Sequence, residues 1–128
     1  MERKYLELIE KAKSAAEAAY APYSKYRVGA AVLTESGEIF TGCNVENASY
    51  GLSMCAERVA IFKARSEGYS KWAAIAVYAP QMPLPMPCGA CRQVMAESGN
   101  KPTVIVAGSD SSVQVFDFEE ILPNSFSL

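Results

Sequence analysis

Apolar residues near the N-terminus recur at helical spacing. Tyr5, Leu8, Ile9, Ala12, Ala16 and Ala19 share one face, and Glu7, Glu10, Lys11 and Glu17 take the other. The spacing predicts an amphipathic helix over about residues 3–20, ended by Ala21-Pro22-Tyr23-Ser24. The apolar run VGAAVL (28–33) reads as a buried strand, and Glu35-Ser36-Gly37 turns the chain into a hairpin partner over 38–43. Polar residues make 44–54 a loop, and a helix over 55–65 follows, closed by Gly68. The run WAAIAVYA (72–79) is apolar almost throughout, which is how a central strand covered on both faces reads. Proline at every second or third position excludes helix and central strand from 80–87. A short helix over 89–97 stops at Gly99. Strands at 103–107 and 113–116 flank a turn, and 118–122 forms one last helical turn. The expected fold class is α/β: one three-layer α/β/α domain over residues 1–128, built on a five-stranded mixed sheet.

Composition narrows the function classes. With 128 residues, half of them apolar, the chain can bury one real core and not two. Net charge is −2 and the 12 basic residues are scattered, so no basic face offers itself to nucleic acid. No apolar run is long enough to span a bilayer, and MERKYLELIEK lacks the apolar centre of a signal peptide. The expectation is a soluble cytoplasmic protein with no membrane partner, whose cysteines stay reduced. Four cysteines in such a protein point to metal or catalysis more than to disulfides. The chain has no histidine, which rules out a Ser-His-Asp triad, a Cys-His dyad and an H-E-x-x-H site. Any proton shuttle is then a carboxylate, lysine, tyrosine or thiol.

Cys88 and Cys91 form a C-x-x-C just where a helix begins. Alone, the pair fits a redox couple, half a zinc site or coincidence. Cys55 opens the earlier helix, with Glu57 two residues on, and 29 residues separate Glu57 from Pro87. This matches a described signature rather than one derived from spacing: zinc deaminases carry H-x-E followed by P-C-x-x-C, and three cysteines are an accepted variant.

Three segments carry a wider resemblance. PYSKYRVGAAV (22–32), CNVENASYGLSMCAERVAIFKA (43–64) and PCGACRQV (87–94) resemble the small cytidine deaminases of nucleoside salvage. The resemblance implies one zinc ion per subunit on Cys55, Cys88 and Cys91, and hydrolytic deamination of cytidine and deoxycytidine. Glu57 would move protons between the attacking water and N3 of the base. Three thiolates at roughly 2.3 Å leave one tetrahedral position open, as catalytic zinc requires. They also leave the centre net negative, which helix N-termini and Arg58 behind the sulfurs offset. Asn44 and Glu46 correspond to the residues that hold the ribose hydroxyls. Tyr26 stands at the base-stacking position, where relatives usually carry Phe, and the backbone of Ala56 would meet the edge of the base. Gln93 would hydrogen-bond near the cysteines or support the Asn44 loop. Phe126 matches a tail aromatic donated to a neighbouring subunit, so a homotetramer with shared active sites is expected.

Other readings keep some of these residues idle. A structural zinc site needs a fourth ligand, for which only Cys43 remains. A redox pair leaves Cys55 and Glu57 unexplained. Glu57 alone is a favourable first-turn acid on a helix dipole. A deaminase of a modified cytosine nucleoside, such as the blasticidin type, shares the zinc motif. The pairing Asn44-x-Glu46 and Phe126 favour cytidine. A non-catalytic zinc module would be expected to lack Glu57, and the acidic balance weighs against a polynucleotide editor.

Overall fold

The computed structural model describes residues 1–128. In chain order it contains α1 (Arg3–Ala16), β1 (Gly29–Thr34), β2 (Ile39–Cys43), a 3-10 turn (Tyr50–Leu52), α2 (Ala56–Ser66), β3 (Trp72–Tyr78), α3 (Gly89–Ala96), β4 (Thr103–Ala107), β5 (Val113–Phe116) and α4 (Phe118–Ile121). The sheet order is β2-β1-β3-β4-β5. Only β3 and β4 run parallel; the other neighbours are antiparallel, so the sheet is mixed as expected.

Strand alternation sends side chains to two cores. On one face Ala31, Ala74, Ala76, Ile105 and Ala107 meet Leu8, Ile9 and Ala12 of α1. The alanines let this helix lie close to the sheet. At Gly29 a Cβ would fall 1.9 Å from the Ala12 carbonyl oxygen. On the opposite face Ala30, Val32, Ile75, Val77, Val104 and Val106 meet Ala60 and Ile61 of α2, Met95 of α3 and Phe118 of α4. Each fully buried Val, Leu or Ile side chain here contributes about 1.5–3 kcal/mol. The central strand β3 is buried on both faces, which accounts for its unbroken apolar sequence. Trp72 at its start is fully buried core.

The first helix is shorter than its apolar periodicity predicts. It ends at Ala16 rather than near residue 20, and the chain continues through short-range bonds from Ala18 to Ala15 and Ala19 to Ala16. A tertiary contact wins over the local pattern. The Tyr20 N–H donates to the Asn44 carbonyl (3.0 Å) and the Tyr20 carbonyl accepts from Glu46 N–H (2.9 Å). The long polar loop is likewise closed on itself, with Val45 and Met54 exchanging bonds of 3.0 and 2.9 Å.

Two features place the functional end of the molecule. Gly42 lets α2 rest directly on β2, since a Cβ there would lie 2.6 Å from the Ala60 nitrogen and 2.7 Å from the Ala56 carbonyl oxygen. The carboxyl end of β3 leads through the proline-rich loop into α3, and Tyr78 at that end pairs with Gly29 at the start of β1. The first turns of α2 and α3 therefore converge beside the carboxyl end of a central strand, where α/β sheets place their ligands.

Candidate active site

Cys55 and Cys88 are the N-cap residues of α2 and α3, and Cys91 lies in the first turn of α3. Their three sulfurs lie within 4.8 Å of one another, with Cys55 and Cys88 3.8 Å apart. Tetrahedral zinc with Zn–S bonds of about 2.3 Å separates its sulfurs by about 3.8 Å, so the donor set fits this metal. Cys43 is outside the cluster. Arg58 Nη2 donates to the Cys55 sulfur at 3.3 Å. Its buried Nε has no hydrogen-bond partner. Arg92, next to Cys91, donates from Nε to the Pro87 carbonyl (2.8 Å) and from Nη1 to the Ile121 carbonyl (2.6 Å). It thus ties the residue before Cys88 to the end of α4.

The sulfurs lie close enough for the charge on one to be felt at the others. The Cys91 thiol beside it, and then Arg58, hold the Cys55 thiol down at about 5. Cys91 is pushed up, first by Cys55 and then by burial. A dication removes this asymmetry by favouring the thiolate at all three positions. Glu57 is only 4% exposed, and its desolvation raises the carboxyl to about 7, with the Cys55 thiolate adding to the rise. A metal on the sulfurs would pull it back down.

A cavity of about 290 Å³ opens from this corner. Cys55, Glu57 and Cys88 line it from the helix starts, Tyr26, Asn44 and Glu46 line it from the loops, and Ala56 also lines it. Val45 pairing with Met54 is what brings the Asn44–Glu46 segment beside Cys55. Asn44 Oδ1 accepts from Val28 N–H (2.9 Å) and its Nδ2 donates to the Tyr26 carbonyl (2.7 Å), leaving one N–H and one lone pair free. Glu46 Oε1 accepts from the N–H groups of Tyr23 (3.0 Å) and Ser24 (3.1 Å), and the Ser24 hydroxyl donates to Oε2. The Ser24 hydroxyl, the two backbone N–H groups and the Lys25 charge hold its carboxyl below the usual range. Tyr26 is half-buried, and desolvation and then Glu57 raise its phenol, which places the ring near that carboxylate.

Two expected residues stand elsewhere within the chain. Gln93 lines a groove between α2 and α3 with Ile61, Phe62 and Arg65, and is not among the residues that line the cavity with Cys55 and Asn44. Its position two residues after Cys91 turns it to the outer face of α3. Phe126 is 69% exposed and lies near Lys101 and Phe118, outside the cavity of its own chain. Several cavity residues were not read from the sequence. Val28, Met54, Val77 and Met86 form its apolar wall, and no motif marks them. Arg92 carried one usable signal, its place next to a cysteine.

Three thiols converging at two helix N-termini, with a buried carboxylate beside them, define a metal-dependent hydrolase of the zinc deaminase class. The family model for the cytidine and deoxycytidylate deaminase zinc-binding region matches residues 2–107, and the chain belongs to that family. It is 50% identical over 122 residues to the cytidine deaminase of Halalkalibacterium halodurans, covering 94% of this chain and 92% of that one. It is 46% identical to the cytidine deaminase of Sporosarcina psychrophila, over 94% and 89% of the two chains. The fold matches the crystal structure of cytidine deaminase from Burkholderia pseudomallei with a TM-score of 0.89 at 49% identity, over 98% of this chain and 100% of that one. Zinc, one ion per chain, is the cofactor that the family and the three sulfurs specify.

Proposed function

We propose that the protein is a zinc-dependent cytidine deaminase, a hydrolase that converts cytidine and deoxycytidine to uridine and deoxyuridine with release of ammonia. The observation that carries this reading is one cavity lined by Cys55, Cys88 and Glu57 together with Asn44 and Glu46, with the buried Cys91 completing the sulfur cluster. Zinc on Cys55, Cys88 and Cys91 supplies the Lewis acid that makes water nucleophilic at neutral pH.

The chain's own groups do the rest. Glu57 takes a proton from the water that adds to C4 and passes it to N3 of the ring. It then moves the remaining hydroxyl proton to the amino group, the C4–N bond breaks and the C4 carbonyl forms. Atoms balance as cytidine plus water giving uridine plus ammonia. Asn44 offers its free N–H and Glu46 its carboxylate to the ribose hydroxyls. Tyr26 stacks on the pyrimidine, and the Ala56 backbone faces its edge. Arg58 stabilises the thiolate of Cys55 through the bond already described. A carboxylate at the sugar end disfavours a phosphate, so the substrate is a free nucleoside.

The assembly belongs to the same proposal: a single domain that forms a homotetramer with shared sites, acting in pyrimidine salvage in the cytoplasm. Tyr50, Leu52 and Phe126 are 75%, 69% and 69% exposed, an apolar display that subunit contacts would cover. Phe126, outside its own cavity, is free to enter another. No helix is long and apolar enough to cross a membrane.

The test is to incubate zinc-loaded protein with cytidine, deoxycytidine and cytidine monophosphate and follow the loss of cytosine absorbance. Both nucleosides should be consumed and the monophosphate spared. No change with either nucleoside overturns the assignment.

A further inference from the structure

Tyr26 is carried by an irregular segment between α1 and β1, and two carboxamide side chains grip that segment from opposite sides. An extended backbone presents its polar groups alternately to either side. Asn44 takes the Tyr26 carbonyl and the Val28 N–H. Gln81, from the proline-rich loop, takes groups of the alternate residues: its Oε1 accepts from Arg27 N–H at 2.8 Å and its Nε2 donates to the Lys25 carbonyl. Gln81 is the sole protein partner of that Arg27 N–H. Lys25 has a left-handed φ of 62°, which is uncommon for a residue other than glycine. Beside Gln81, the Met82 sulfur accepts from the Tyr26 hydroxyl at 3.3 Å.

The loop that supplies these contacts is itself fixed. The Met82 carbonyl accepts from Ser109 N–H (3.0 Å), and the Pro83 carbonyl accepts from the Ser112 hydroxyl (3.1 Å). Gly108 backs against Pro83 so closely that a Cβ would sit 1.9 Å from its carbonyl oxygen. Pro80 and Pro83 restrict φ on both sides of the Gln81-Met82 tip. The β4–β5 turn braces the proline-rich loop, and the loop braces the tyrosine.

We infer that Gln81 is a positioning residue for the substrate, its carboxamide fixing the peptide units on either side of Tyr26 while Met82 takes the hydroxyl, so that the tip of the proline-rich loop sets how the ring meets the pyrimidine. The inference rests on the reading of Tyr26 as the base-facing ring. It assigns work to a segment whose sequence suggests only a connector, and gives the tyrosine hydroxyl the partner that a half-buried phenol needs.

The test uses Gln81→Leu, which keeps the volume and removes both bonds, in the zinc-loaded full chain. Losing a hydrogen-bonded clamp should raise KM for cytidine about tenfold while kcat stays within about twofold and zinc content is unchanged. Amide exchange at Arg27 should accelerate about tenfold, while Val28, held by Asn44, keeps its protection. Gln81→Glu, which retains the acceptor for Arg27, should restore that protection and part of the KM. In a Tyr26→Ala background, Gln81→Leu should add nothing to KM. Unchanged exchange at Arg27, an equal KM effect without the tyrosine, or a loss confined to kcat each overturns the inference. A wild-type protein that ignores cytidine sinks the functional reading instead, and the Arg27 exchange still decides the clamp.

Discussion

The two parts of the cavity lining, one from helix starts and one from loops, are built differently. At the metal end, Cys55, Glu57, Cys88 and Cys91 stand on the first turns of helices whose next turns are core, with Ala56, Ala60 and Met95 fully buried. Tyr26, Asn44 and Glu46, to which the proposed function gives the base and the sugar, lie on loops, held by side chains that bond to backbone. Bond making and breaking needs donors fixed to a fraction of an ångström, which packed helices provide. Recognition of a nucleoside tolerates the softer loop frame. Damage to the first end should therefore appear in metal content and kcat, and damage to the second in KM.

The largest effect belongs to Cys88→Ala. The residue is exposed, so the fold should survive, while one of three protein ligands is gone. Zinc by elemental analysis should fall to near zero, and turnover with it. Full occupancy would mean that the ligand set is wrong. Next in size is Glu57→Gln, which preserves shape and removes the proton shuttle. Zinc should remain at wild-type level while kcat drops on the order of 10²–10⁴-fold, the usual worth of a positioned acid–base group. Turnover near wild type would remove Glu57 from the chemistry and make it a helix-capping acid.

The same division explains what could be read without coordinates. The metal end was legible because its residues are few, chemically distinctive and tied to helix starts: Cys55 and Cys88 sit one residue before α2 and α3. Strands β4 and β5 were bounded correctly because short apolar runs flanked by turn residues have little alternative. The loop end was legible only through resemblance. Its structure depends on pairs such as Gln81 with Lys25 and Arg27, 56 and 54 residues apart, and no local periodicity encodes them. The early end of α1 is the same lesson. Ala19 fits the helical stripe, but Tyr20 is recruited to the Asn44–Glu46 segment. The outward turn of Gln93 follows from the phase of α3, which a motif match alone does not supply.

Removing residues 126–128 tests the loop end from outside the chain. If Phe126 enters a neighbouring cavity, KM should rise about tenfold, the scale of one lost buried aromatic contact with partial compensation, and kcat should change little. Zinc content should not move, which separates this loss from damage at the metal end. Unchanged affinity would dissolve the shared-site proposal and leave each cavity complete within its own chain.

The smallest effect, and the sharpest probe of the contrast, is Glu46→Gln. The carboxylate already accepts from Tyr23, Ser24 and the Ser24 hydroxyl. A carboxamide keeps one oxygen for the two N–H groups, and the hydroxyl can rotate to accept from the new NH₂, so the loop should hold its shape. What changes is charge. The Ser24 hydroxyl, the two backbone N–H groups and Lys25 depress the Glu46 carboxyl, so its contribution to loop order is complete above the ordinary carboxylate range and fades as pH falls through the lowered value. At neutral pH it is an anion, and in the proposed complex it faces the sugar. Replacing a charged acceptor by a neutral one should raise KM for cytidine about fivefold. Loss of repulsion at an exposed site should narrow the preference for cytidine over its monophosphate by roughly threefold at low salt, and added salt should shrink that preference in the wild type but not in the variant. A fall in kcat or in zinc content would break the division between the two ends, because it would show that the loops hold the metal corner as well as the sugar.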